Sequence, residues 1–378
     1  MQFGFISLGE NRYPDMKRDD RQYYQEYLKL AELLDELDYS SLWTGEHHFA
    51  HIATVSSPVT LLAAIASRTK KIRLATGVNV LSFHNPIRLA EDYATLDQVS
   101  DGRAILGAGN GYALGEFKGF GIDVNESRER FREVLAIVTQ ALHTGQFGYE
   151  GKYYRIPTLP LVPVPVQQKF EICIAVLGSK STIESAAEQG YNLVTSSQSQ
   201  ALIGTNLPQT VQYYRSIGSE HGHHKLRLYV PFFMLCSEDD EEIEAEFGKM
   251  VGYWKHLSLD LERGLPESLQ YWETLKGQFE KLTVEDLHNR QTAFGRPEKL
   301  IDLFLKIAEA GVDELLVEPF YGPQSYEDVE RNLRLFREKV MPYVDDRFGG
   351  PKYEWNGEKT VLAQKAKNKM PSTRAAAR

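Results

Sequence analysis

Residues 71–112 read KIRLATGVNVLSFHNPIRLAEDYATLDQVSDGRAILGAGNGY. KIRLATGVNVL is a near-continuous apolar run, as expected of a strand buried on both faces of a parallel sheet. PIRLAEDYATLDQVSDG then switches to helical spacing and ends in Gly102, a helix-stop signal. RAILGAG returns to an apolar strand and leaves it through a run of glycines. Two buried strands joined by an amphipathic helix form a crossover unit, the building block of α/β folds.

The same unit repeats in both directions. QFGFISL near residue 2, SSLWTGE near 40, FEICIAV near 170, YNLVTSS near 191, KLRLYVPFFML near 225 and DELLVEPF near 313 bring the strands to eight. Amphipathic stretches lie between them: YYQEYLKLAELLDELDY, SPVTLLAAIASRTK, SRERFREVLAIVTQALHTG, STIESAAEQG, LPQTVQYYRSIGSEHG, RPEKLIDLFLKIAEAG and YEDVERNLRLFREKVMPYV. Eight alternations favour a closed TIM (β/α)8 barrel, with a doubly wound open sheet as the alternative. Such barrels run to about 250 residues or more as one domain, so residues 1–346 are expected to be a single domain. Two insertions interrupt the count. QFGYEGKYYRIPTLPLVPVPVQQ (146–168) predicts a hairpin and an extended loop. Residues 237–295 open with the acidic helix SEDDEEIEAEFGKMVGYWKHL and have the length of a lid. The stretch 347–378 is polar and basic and reads as a partly disordered extension.

The chain has 378 residues, of which 42% are hydrophobic and 25% charged, enough apolar material for a large core. A net charge of −9 argues against a partner made of nucleic acid or an anionic membrane surface. It does not bar an anionic cofactor, because helix termini can hold a phosphate locally. Two cysteines, Cys173 and Cys236, cannot build a disulfide framework or a cysteine-based metal site. There is no signal-like N-terminus and no window approaching the ~20 apolar residues of a membrane span, so a cytoplasmic protein is expected.

In a barrel, chemistry gathers at the carboxyl ends of the strands. After the second strand comes Trp43-Thr44-Gly45-Glu46-His47-His48-Phe49, with His51 close behind. Imidazoles exchange protons near neutral pH and a nearby carboxylate can fix their tautomer, so Glu46, His47 and His48 are catalytic candidates. Adjacent residues on an extended segment point opposite ways, so one of the two histidines is expected to be structural. A metal reading competes, but HExxH would need Glu where His48 stands, and no metal is assigned. After the fourth strand, Gly107-Ala108-Gly109-Asn110-Gly111-Tyr112 misses the GxGxxG register, since its third glycine would fall at Tyr112. It reads equally as a tight strand exit or as backbone kept bare for a flat ligand. Leu177-Gly178-Ser179-Lys180-Ser181-Thr182 opens a helix and could take a phosphate, or could simply cap it. Thr76-Gly77-Val78-Asn79 places a glycine inside a strand, a sign of close approach. The histidines of His221-Gly222-His223-His224 fall on the opposite face and read as a solvated loop.

Taken together, these segments resemble the bacterial luciferase family. The resemblance rests on WTGEHHF (43–49) and HNPIRLAEDYATLDQVSDGRAILGAGNGY (84–112). It continues through EFKGFGID, YEGKYYRIP and GSKSTIESAAEQG to VEPFYGPQSYEDVERNLRLFREKVMPYV, and covers roughly residues 1–345. It implies a barrel that binds reduced FMN as a co-substrate or, in one branch, a deazaflavin. Gly178, Ser179 and Thr182 would hold the phosphate. Thr76, Gly77 and Val78 would lie against the flavin ring, with a cis peptide at Gly77-Val78, and Asn110 and Tyr112 would flank it. Asn110 stands where luciferases carry an arginine, and it is shorter and uncharged. His47 matches the catalytic histidine, supported by His48 and Glu46.

The implied activity is a two-component monooxygenase. FMN reduced by a separate NAD(P)H flavin reductase would meet O2 and form a C4a-peroxyflavin, which oxygenates a small organic substrate such as an aldehyde, a ketone or a biosynthetic intermediate. The 237–295 lid would exclude water. A homodimer through the second and third helices is also implied. Two alternatives stay open: a deazaflavin-dependent hydride-transfer enzyme of the same family, and a flavin-binding subunit without catalysis. A metal-dependent barrel hydrolase is the remaining option.

Overall fold

The computed structural model describes residues 1–11, 13, 18–50, 53–176, 179–195, 207–261, 270–288, 293–345 and 347, with strands Tyr353–Trp355 and Thr360–Leu362. Eight parallel strands form the barrel: β1 (Gln2–Ser7), β2 (Ser41–Thr44), β3 (Arg73–Thr76), β4 (Ala104–Gly109), β5 (Glu171–Ala175), β6 (Asn192–Val194), β7 (Leu228–Cys236) and β8 (Glu314–Glu318). Each pairs with the next, and β8 returns to β1, so the sheet closes. Closure excludes the open-sheet alternative. The helices between and after the strands are α1 (Asp20–Glu36), α2 (Pro58–Ala66), α3 (Pro86–Ser100), α4 (Ser127–Thr144), α5 (Lys180–Gln189), α6 (Leu207–Glu220), α7 (Pro297–Glu309) and α8 (Tyr326–Lys339).

The helix ends follow local chemistry. Asp19, Asn85, Ser179 and Ser325 cap the starts of α1, α3, α5 and α8 by accepting backbone N–H groups. Helix α3 stops one residue earlier than Gly102 implies, because Asp101 already adopts the left-handed conformation (φ 57°) before Gly102 (φ 76°).

One side chain from each strand, Ile6, Trp43, Ala75, Ile105, Cys173, Val194, Tyr229 and Leu316, fills the barrel's middle layer. Below it, at the amino ends of the strands, Arg73 pairs with Glu171 at 2.5 Å and Arg227 with Glu314 at 3.0 Å. Asn192 Nδ2 and the Tyr229 hydroxyl also donate to Glu171. This satisfied polar plug seals the floor, so the barrel can open only at its carboxyl face.

The 146–168 insertion is the expected hairpin, with Gln146–Glu150 antiparallel to Arg155–Pro160. The 237–295 insertion folds into helices Asp240–Leu257, Gln270–Lys281 and Val284–His288, then adds a strand, Ala293–Gly295, alongside the end of β7. Its Tyr253, Trp254, Trp272 and Phe279 share an aromatic core with Phe233 and Tyr321 above the barrel mouth. A short helix, Leu114–Gly119, follows the glycine-rich turn and was not evident from the sequence. In the 347–378 stretch, Tyr353–Trp355 pairs antiparallel with Thr360–Leu362.

Gly107 is packed too tightly for any side chain, since a Cβ there would run into the Thr76 carbonyl oxygen. Gly107→Ala must therefore displace the β3 exit. A loss of about 1–3 kcal/mol is expected, the usual cost of overpacking, and it would be read as a lowered thermal midpoint relative to the parent chain.

Candidate active site

The β2 exit is organised by Glu46, which is buried to 2% exposure. Its two carboxylate oxygens take Asn79 Nδ2 at 2.6 Å, the Val80 N–H at 2.8 Å, and the Nε2 atoms of His48 and His84 at 2.9 Å each. Burial alone would raise its pKa. The hydrogen bonds from His48, His84 and Asn79 overcome this and hold it at about 2. Asn79 accepts from the Tyr93 hydroxyl at 2.5 Å, and that hydroxyl lies 2.6 Å from Thr76 Oγ1, which in turn donates to the Gly107 carbonyl. One buried chain of hydrogen bonds thus ties the exits of β2, β3 and β4 together.

His47 takes a different partner. Its Nδ1 lies 3.3 Å from Glu116 Oε1, and the same oxygen accepts the His48 backbone N–H at 2.8 Å. Glu116 comes from the short helix Leu114–Gly119 and is itself buried. Burial would lower the pKa of His47. The Glu116 carboxylate outweighs it, with Asp260 and Glu10 adding attraction, so the pKa lies above its ordinary value. Glu46 does not serve His47. It holds His48, whose ring is turned toward Phe120 and Phe83, and this divides the histidine pair as the extended backbone implies.

A cavity of about 870 Å3 opens at the carboxyl face. Glu46, His47, Gly77, Val78, Asn110, Tyr112, Ser179 and Thr182 all line it. Thr76 stands behind it, bonded to Tyr93 and Gly107, and His48 lies to one side. Gly178 and His51 fall outside the described residues. The Gly77–Val78 peptide is cis, as expected. The glycine-rich turn is the tight strand exit expected of it: Gly111 has φ 77°, and a Cβ at Gly109 would meet Val78. At the far end Ser179 caps α5 by accepting from the Thr182 N–H, beside Ser181.

Several lining residues escaped sequence reading. Glu116 is separated from His47 by 69 positions and carries no motif. Arg128 and Arg132 are exposed and line the cavity along with Ser179 and Thr182. Their spacing of four on a helix following the glycine-rich turn was a usable signal. Trp272 belongs to the lid, where no pattern marks which side chain points inward. Among the described residues, no group of three His, Cys, Asp or Glu is arranged to hold a metal, and no helix is long and apolar enough to cross a membrane.

This is a TIM barrel with a buried histidine–carboxylate pair lining a cavity at its carboxyl face. The profile of the luciferase-like monooxygenase family matches residues 1–314. The chain belongs to that family and is an oxygenating enzyme. It is similar to the alkanal monooxygenase alpha chain of Aliivibrio fischeri, 29% identical over 56% of this chain and 59% of that one. Among solved structures it resembles monooxygenase RslO1 from Streptomyces bottropensis (26% identity, TM-score 0.76, 90% and 99% of the two chains). The oxygenating constituent of 3,6-diketocamphane monooxygenase from Pseudomonas putida, solved with FMN, shares the fold at 23% identity and TM-score 0.71, covering 91% and 99%.

Glu46 and His47 carry opposite pH signatures. Glu46, held below its ordinary value of 4.5, contributes stability that is present above that pH and lost as pH falls toward about 2. Its full worth is on the order of 3 kcal/mol. His47, raised above 6.5, contributes stability that is complete below that pH and lost as pH rises through its folded value. Glu116→Gln should move the His47 titration, followed by imidazole NMR, to lower pH. An unmoved titration would remove Glu116 from the role of its partner.

Proposed function

We propose that the chain is the oxygenase of a two-component system, binding reduced FMN and O2 and oxygenating a small organic substrate. The observation that carries this is a cavity lined by the His47–Glu116 pair together with Ser179, Thr182, Arg128 and Arg132. The residues fit a flavin. Gly77, Val78, Gly109 and Gly111 line one stretch of the cavity and offer a flat shelf, with Thr76 bracing it from behind. Ser179, Thr182 and the start of α5 form a phosphate cradle, with Gly178 assigned beside them by resemblance. Arg128 and Arg132 bring the charge that Asn110 lacks. The Asn110 Oδ1 and Thr195 Oγ1 atoms are buried without a partner among the described residues and suit the polar middle of such a ligand.

When bound, reduced flavin activates O2. The protein positions the ring, holds a proton at His47 and keeps water out. His47, through the ring nitrogen not facing Glu116, is the catalytic residue. His48 and Glu46 support the shelf. The lid's aromatic core closes the mouth against solvent. The relatives support this reading, with an alkanal monooxygenase and an FMN-bound oxygenating constituent among them. A separate NAD(P)H flavin reductase, a homodimeric state and a cytoplasmic location belong to the same proposal.

The test is anaerobic titration with photoreduced FMN, then rapid mixing with O2. Slow return of oxidised-flavin absorbance, hastened or accompanied by product when substrate is present, is the expected result. Immediate reoxidation, or preferential binding of a deazaflavin without reaction toward O2, would transfer the assignment to hydride transfer. His47→Ala should keep FMN affinity nearly intact and abolish product. Arg128→Ala should weaken FMN about tenfold while leaving riboflavin affinity unchanged, as loss of a charge-assisted phosphate contact requires.

A further inference from the structure

The wall beside His47 is built from two stacked rings. Tyr112, on the glycine-rich turn, and Trp272, on the lid helix Gln270–Lys281, lie with centroids 3.9 Å apart and planes 21° off parallel. Tyr112 stands edge-on to His47 at 5.9 Å. Both rings line the cavity, and Trp272 is only 6% exposed. The lid helix is fixed in place by the Lys276 ammonium, which donates to the Ser258 and Leu261 carbonyls. Three carboxylates lie at this end, Glu46 and Glu318 at the exits of β2 and β8 and Glu116 against His47, so they outnumber the charge of His47 even when that ring is protonated. The lining arginines lie on α4, at the opposite end. The cavity volume of about 870 Å3 is near the top of the usual range for ligand pockets, about 300–1,000 Å3, leaving room for a second molecule beside a cofactor.

We propose that the substrate is a planar, conjugated ring compound without negative charge, and that Trp272 is the residue that selects it. This rests on the monooxygenase reading given above. A flat ring laid on the outer face of one member extends the Tyr112–Trp272 stack, in contact over its whole face, and presents its edge to His47. A saturated chain meets the wall along a line only. An anionic substrate would face three carboxylates against the single imidazole charge of His47 and be disfavoured by the negative balance.

The experiment is equilibrium binding by calorimetry to the full chain, with and without FMN. The probes are 2-naphthol (planar, neutral), 2-naphthoate (planar, anionic) and decanal (linear, saturated). The expected order is 2-naphthol tighter than either of the others by about tenfold or more. Trp272→Leu, which keeps an apolar side chain but removes the flat face, should erase that preference without altering FMN affinity. Trp272→Phe should restore most of it. Equal binding of decanal or 2-naphthoate, or an unchanged preference in a folded Trp272→Leu protein, would overturn the proposal. Failure of FMN to bind would overturn the cofactor reading instead, and the flavin-free comparison would still decide the substrate class.

Discussion

The arrangement of the site depends on one buried negative charge. Ionised Glu46 sits where bulk water cannot reach it, and such a group is tolerated only when its oxygens are fully engaged. The four donors that satisfy it come from three places: His48 from its own loop, Asn79 and Val80 from the β3 exit, and His84 from the turn before α3. Meeting that electrostatic demand draws the ends of neighbouring strands into one rigid unit. Through Asn79, Tyr93 and Thr76 the unit extends to Gly107 on β4. The shelf beside the cavity is therefore set by polar satisfaction, with apolar packing beneath it.

With Glu46 occupied, a second carboxylate is free to serve His47. Glu116 raises the proton affinity of that imidazole and leaves its other ring nitrogen directed away from the pair. The separation resembles a general rule of active sites, where neighbouring titratable groups are driven apart in pKa by different surroundings. Here one acid is pinned at low pKa as scaffold, and another tunes a base. The barrel floor, closed by Arg73–Glu171 and Arg227–Glu314, and the aromatic lid above confine this chemistry between two water-poor boundaries.

Much of this was legible from pattern alone. Buried parallel strands and amphipathic helices leave opposite periodicities, so all eight strand–helix units and both insertions could be located before any coordinates. The β2 exit motif pointed to His47, which lines the cavity, and the glycines of 107–111 announced a backbone with no room for side chains. What escaped was of one physical kind. Glu116, Arg128, Arg132 and Trp272 act through contacts made across the barrel mouth, and a charged or aromatic residue on a helix looks the same in sequence whether it faces solvent or a cavity.

The sequence by itself determined the order of elements, the closed α/β architecture and the family, because hydrophobic period and short-range turn chemistry are local properties of a chain. Only the tertiary structure decided which carboxylate each histidine meets, which arginines line the cavity and which lid side chain faces it. Those depend on the directions in which separate strands and helices aim their side chains once the barrel closes. Directions of that kind are set by packing in three dimensions and leave no local trace.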